Sequence, residues 1–166
     1  MNIVPAVPGD LDEAREAYAH GRRIQRSQGT LGWPEFNDAT ILAEIHDGRL
    51  LRVMDGAAPA GVFSVTYNDS AIWGNRERGA HIYLHRIARA ESFRGRGLLD
   101  AIFRWADEHC RSLGREGLRM DTWASNHALI AIYARYGFSF VGHQHIGVDP
   151  GLAAHYHNND FALLEK

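Results

Sequence analysis

A single cysteine, Cys110, is the only thiol in this 166-residue chain. One thiol closes no disulfide within the chain and suits a reducing compartment, so a cytoplasmic location is expected. Charge bias is also missing. Eighteen lysines and arginines stand against 20 carboxylates, for a net charge of −2. That balance argues against a general binder of nucleic acid or membrane surface and leaves open only a local basic patch. No apolar run approaches bilayer length. The opening "MNIVPAVPGDLDEA" has no basic stretch followed by an apolar one, so no secretion signal is read. Repeats, low-complexity tracts and linkers are absent too. The length then suits one domain over residues 1–166, with an ordinary apolar content for a packed core.

What is present reads as alternating elements. "NIVPA" forms a short first strand, and Asp10 is placed to cap a helix over "LDEAREAYAHGRRIQRS". "GTLGWPEF" is loop-like, "DATILAEIHDG" is a second helix ending at Gly48, and "RLLRVMDGAAPAGVFSVTYND" is a hairpin turning at "DGAAPAG". "AIWGNRERG" reads as a polar connector and "AHIYLHRIA" as a strand. The helix over "GLLDAIFRWADEHCRSLG" has the strongest pattern, with Leu98, Leu99, Ile102, Phe103, Ala106, Cys110 and Leu113 on one stripe. "GLRMDTWA" is a strand, "NHALIAIYARY" a helix stopped by Gly137, and "FSFVGHQHIGV" and "HNNDFALLEK" are closing strands. The order predicts a layered α/β (α+β) protein. Its central sheet is mixed and largely antiparallel, of about six to seven strands, flanked by about four helices.

The stretch "SFRGRGLLDAIF" puts a glycine-spaced basic turn at the start of that strongest helix. A helix N-terminus carries unpaired N–H groups and partial positive charge. Glycines let the preceding backbone curl so that several N–H groups converge on one anion. With Arg94 and Arg96 beside it, the turn suits a phosphate. It is neither of two common cradles. The Gly-Lys-Ser/Thr ending of one is absent, and Asp100 stands where the other needs a third glycine. On this stretch alone, a tight basic turn with no ligand remains the alternative.

The second half of the chain adds a linked motif. "IARAESFRGRGLLDAIFRWA" followed by "LRMDTWASNHALIAIYARYGFSFVG" resembles the GNAT superfamily of N-acetyltransferases over roughly Ala80 to Gly142. Arg94 and Gly97 match the family's Arg/Gln-x-x-Gly turn. Asn126, Tyr133, Gly137 and Phe138 fit its later spacing. The chain departs from the pattern at Arg89, Leu99 and Asp100.

The resemblance implies an acyl-CoA N-acyltransferase fold and transfer of an acetyl group from acetyl-CoA to a primary amine by direct attack in a ternary complex. It implies that Arg94, Gly95, Arg96, Gly97, Leu98 and Leu99 cradle the pyrophosphate. Ile87, Ala88 and Arg89 would hold the pantetheine arm, with a backbone N–H among them stabilising the oxyanion. Asn126 and Tyr133 would complete the coenzyme site, and Tyr133 would protonate the leaving thiolate. Each has a structural alternative, Asn126 as a helix cap and Tyr133 as a core aromatic, with Tyr136 as a rival acid. For the base, His85 is the candidate because imidazole titrates near neutrality. Glu44, with Trp33 and Phe36 walling the same pocket, is a second, set against a solvated helix face. The expected partner is a small-molecule amine acceptor, with room for a homodimer. The competing reading from another class is a non-catalytic acyl-CoA-binding or partner-binding module. The pairs His143/His145 and His155/His157 have same-face spacing for a metal ion, but no third ligand is spaced with them, so no metal is expected.

Overall fold

The computed structural model describes residues 1–94, 96–148, 152 and 154–166. Among them, seven strands form one sheet in the order β1-β2-β3-β4-β5-β7-β6. The strands are β1 (Asn2–Pro5), β2 (Leu50–Asp55), β3 (Ala58–Thr66), β4 (His81–Arg89), β5 (Gly117–Trp123), β6 (Ser139–Ile146) and β7 (Asn159–Glu165). The helices are α1 (Leu11–Ser27), α2 (Asp38–His46), the short α3 (Ser70–Trp73), α4 (Leu98–Ser112) and α5 (His127–Ala134). Neighbouring strands β1–β2, β2–β3, β5–β7 and β6–β7 run antiparallel. The β4–β5 pair is parallel, registered from His81↔Gly117 to Tyr83↔Arg119. This is the mixed, mostly antiparallel sheet expected from the sequence.

Two compact units divide the chain. The first comprises Met1–Val65 and Leu84–Glu108, the second Thr66–Tyr83 and His109–Lys166. In the first, Ala14, Ala17 and Tyr18 of α1 and Ile41 and Ile45 of α2 pack with Leu50, Val62 and Ala88. The stripe on α4 buries Ile102, Phe103 and Ala106 there, with Trp105 edge-on to Phe63 at 5.4 Å between ring centres. Gly61 is required by close approach: a Cβ at that position would stand 2.5 Å from the Ala88 carbonyl oxygen.

The second unit is built around a buried cation. The Arg119 guanidinium stacks on Trp73 at 4.3 Å, pairs with Glu165 at 2.7 Å and donates to the Arg76 carbonyl and the Tyr83 hydroxyl. Such burial is tolerated because the charge is both paired and hydrogen-bonded. Gly137 (φ +90°) ends α5, and the Phe138 N–H reaches back to the Tyr133 carbonyl.

Three expectations are corrected. The connector "AIWGNRERG" contains helix α3, which buries Ile72 and Trp73. The hairpin turn is confined to Gly56 and Ala57, because β3 already begins at Ala58. Leu113 lies past the end of α4 and is 48% exposed, so the apolar stripe closes at Cys110.

Candidate functional site

In the first unit, β4 delivers the chain to the basic turn. Its regular alternation fails at Arg86, which has φ +49°, a left-handed conformation that an arginine adopts at a cost of ~1–2 kcal/mol. Strict alternation along the strand would put His85 and Ile87 on one face, and the turn at Arg86 between them breaks it. Ala88 follows, buried against the core cluster, and Arg89 is half-buried.

The Arg89 side chain braces what comes next. Its guanidinium donates to the Phe93 carbonyl at 2.7 Å and lies 3.2 Å from the His20 ring nitrogen. Phe93 is buried and its N–H returns to the Ala90 carbonyl. Arg94 donates to the Glu91 carbonyl, and the Glu91 carboxylate holds Arg23 at 2.5 Å. The residues that leave β4 are thus held through Arg89 and Arg94. Gly95 falls outside the described residues. Arg96 is exposed, and Gly97 takes φ +86° immediately before α4. Helix geometry leaves the N–H groups of Leu98, Leu99 and Asp100 without intrahelical partners. Leu98 and Leu99 are half-buried, and the Asp100 carboxylate folds back toward Gly97. A positive-φ glycine, open N–H groups and two arginines fit a pyrophosphate, with Asp100 the one opposing charge.

His85 belongs to the same unit. Burial, and then the charge of Arg49, pushes its imidazole down to about 4. It is therefore neutral at pH 7 and a weaker base than a free histidine.

Asn126 and Tyr133 belong to the second unit. Asn126 caps α5, its side chain accepting from the Leu129 N–H at 3.1 Å. Tyr133 is buried, with its ring 6.2 Å from Phe138. Burial, and then the charge of Asp121, raises the Tyr133 hydroxyl well above the usual tyrosine range, so it keeps its proton at neutral pH. The same unit also carries Asp69, whose carboxyl is pushed up to about 8 by burial and then by Asp121. Asp69 ends the stretch expected to be a hairpin, where nothing local signals burial.

Other predicted candidates resolve individually. Glu44 is 4% exposed, against the expectation of a solvated helix face, and it pairs with Arg86. Trp33 and Phe36 join Tyr18 in one aromatic group, at 6.1 and 5.1 Å between ring centres. In the second unit, His145 bonds Asp160 at 2.8 Å, His157 meets the Leu152 carbonyl at 3.1 Å, His143 packs on Phe140, and His155 stacks on Tyr156.

Comparison with known proteins gives this fold its class. The model of the acetyltransferase (GNAT) family matches residues 15–138, and the chain belongs to that family. It is 34% identical over 74 residues to the uncharacterized N-acetyltransferase YesJ of Bacillus subtilis, a match covering 45% of this chain and 41% of that protein. A GNAT-family acetyltransferase of Listeria monocytogenes superposes with a TM-score of 0.74 at 23% identity, covering 99% of this chain and 93% of the other. The protein yncA of Salmonella typhimurium, solved with acetyl-CoA, gives 0.68 at 18% identity over 100% and 92%. At such identities these two structures speak to the fold. Among the described residues no helix is long and apolar enough to cross a membrane.

Proposed function

We propose that the chain is an N-acetyltransferase that moves an acetyl group from acetyl-CoA to a primary amine of a small molecule. The observation that carries this reading is the braced turn from Arg89 to Gly97 opening onto α4, inside the stretch that matches the family. Acetyl-CoA, when bound, supplies the activated thioester. In this reading the first-turn N–H groups of α4, with Arg94 and Arg96, neutralise its pyrophosphate. Backbone groups of Ile87, Ala88 and Arg89 hold the pantetheine arm and donate to the developing oxyanion. His85, neutral above pH about 4, accepts the ammonium proton through water. Tyr133 returns a proton to the thiolate, and its retained proton suits that role. Asn126 holds the start of α5, and with it Tyr133, in place.

The test is a panel of primary amines offered with acetyl-CoA, reading thiol release. Turnover with at least one amine is expected. Calorimetric binding of coenzyme A with no transfer to any amine would instead favour an acyl-CoA-binding module.

A further inference from the structure

Glu44 of α2 and Tyr18 of α1, each 4% exposed, carry the strongest unsatisfied chemistry of the first unit. The Glu44 Oε2 and the Tyr18 hydroxyl are sealed from solvent and make no hydrogen bond. Leaving such groups unpaired costs ~1–3 kcal/mol each. Beside them stands Arg86, held in its strained backbone conformation. Its guanidinium pairs with Glu44 Oε1 and lies 5.9 Å from the Tyr18 ring centre and 5.2 Å from that of Phe36. A second cation, Arg49, is 3.9 Å from Glu44 but is taken up by Asp47 at 2.7 Å. A guanidinium has five N–H donors in a fixed fork, so the pair with Glu44 leaves Arg86 able to donate to a further acceptor.

The unused groups define a complement. One carboxylate oxygen needs a donor, the guanidinium needs an acceptor, and the hydroxyl can serve as either. Glu44 and Arg86 cancel as a pair, so a ligand group with net charge would be buried uncompensated. A carboxylate brings only acceptors and would face Glu44 as a like charge. An ammonium brings only donors and would face Arg86. A primary carboxamide brings both in one plane.

We propose that Glu44, Arg86 and Tyr18 recognise a neutral carboxamide on the amine acceptor, an inference that rests on the N-acetyltransferase reading above. The amide N–H donates to Glu44 Oε2, its oxygen accepts from Arg86, and the Tyr18 hydroxyl takes the second N–H. Phe36 and Trp33 form the apolar wall. A cleft of about 80 Å³, lined by Arg15, Tyr18, Arg22, Glu35, Phe36 and Ile41, shares Tyr18 and Phe36 with this group.

The experiment compares 3-aminopropanamide, 3-aminopropanoate and propylamine as acceptors for the wild type, Tyr18→Phe and Glu44→Gln, reading kcat/KM by thiol release. Ratios between acceptors within one protein are compared across proteins, so the amines' own acidities cancel. At equal free-base concentration of each amine, the wild type should prefer the amide over both others by about tenfold or more. Tyr18→Phe, which keeps the ring and the fold, should lower that preference several-fold. Glu44→Gln, which replaces an acceptor by a donor, should abolish it and improve the carboxylate relative to the amide. Calorimetric titration of 3-aminopropanamide into the wild type and Tyr18→Phe gives a readout independent of transfer. Binding weakened in Tyr18→Phe, with no amine acetylated, would uphold the site and reject the transferase reading. A wild-type ratio near one, a preference for the carboxylate, or ratios unchanged in both variants would overturn the proposal.

Discussion

The two compact units bury opposite kinds of chemistry. The first surrounds a guanidinium–carboxylate pair with aromatic rings and leaves polar atoms of Glu44 and Tyr18 without partners. The second uses the same ingredients, an arginine, a glutamate and aromatics, but satisfies the cation from several sides: Arg119 has Glu165, a carbonyl, a hydroxyl and the face of Trp73. A saturated buried cation is a structural brace. In the first unit the unpaired atoms are on the carboxylate and the hydroxyl beside the cation, Glu44 Oε2 and the Tyr18 hydroxyl oxygen, and such buried orphans call for an explanation. On the proposal above, similar composition yields scaffold in one unit and recognition in the other.

The proposed roles sharpen that contrast, and Tyr133→Phe gives the largest expected effect. Removing the hydroxyl should lower kcat about 10²-fold if proton return limits turnover, with coenzyme A affinity unchanged. Stopped-assay kinetics and calorimetry separate the two quantities. Gly97→Val acts on the other unit and should do the reverse. Its φ of +86° is hostile to a β-branched side chain. The coenzyme dissociation constant should rise about tenfold or more. Equal affinities for both proteins would place the cradle elsewhere.

Two glycines compare the units as scaffolds. A methyl at Gly61 would press on the Ala88 carbonyl and reach Leu98 at 3.3 Å, in the middle of the first unit. A methyl at Gly117 would press on the Lys166 carbonyl, just past the end of β7. The first neighbour is held by strand and helix, whereas the second, just past β7, is held through its two backbone bonds to Leu118. Gly61→Ala should therefore cost about 2–3 kcal/mol and Gly117→Ala nearer ~1 kcal/mol. Denaturant melts of both variants decide the order, and the reverse order would show that Lys166 is the more firmly held.

Much of this was legible in the sequence, for a physical reason. α4 and the hairpin repeat a period over many residues, so each position reinforces the next. Asn126 and Gly137 mark the ends of α5 by local backbone demands, a capping oxygen and a positive φ. What stayed hidden depends on partners distant in sequence. α3 is four residues long, too short to show a period, and its Trp73 is buried by the cation on Arg119. Glu44 reads as a surface residue until Arg86, 42 positions later, is seen beside it. The left-handed turn at Arg86 itself has no local signal, since neither glycine nor asparagine occupies it. The fold and the basic turn were therefore open to reading, and the recognition chemistry was not.

The last expected effect concerns pH, where the two buried groups should behave oppositely. Asp69, in the second unit, holds its proton to about pH 8 when folded, while an unfolded aspartate releases it near ~3.9. Between those values the folded state binds the extra proton, so this group's contribution to stability falls as pH rises. His85, in the first unit, resists protonation to about pH 4 when folded, while an unfolded histidine takes a proton below ~6.5. Over that window the unfolded state binds the extra proton, so this contribution falls as pH drops. The melting temperature of Asp69→Asn, relative to wild type, should therefore climb between about pH 4 and 8. That of His85→Gln should climb in the other direction, from about pH 6.5 down to 4. Each drift should amount to ~2–4 °C for every kcal/mol of linked stability in a chain of this size, with about 1.4 kcal/mol accruing per pH unit between the folded and unfolded values. Constant offsets caused by lost packing do not matter, because only the slopes are read. Scanning calorimetry at half-unit pH steps checks both. Opposite slopes across the shared window would mean that each unit buries its titratable group in the uncharged form. Two flat lines would mean that both groups are hydrated in solution, and the contrast between the units would then rest on Glu44 and Arg119 alone.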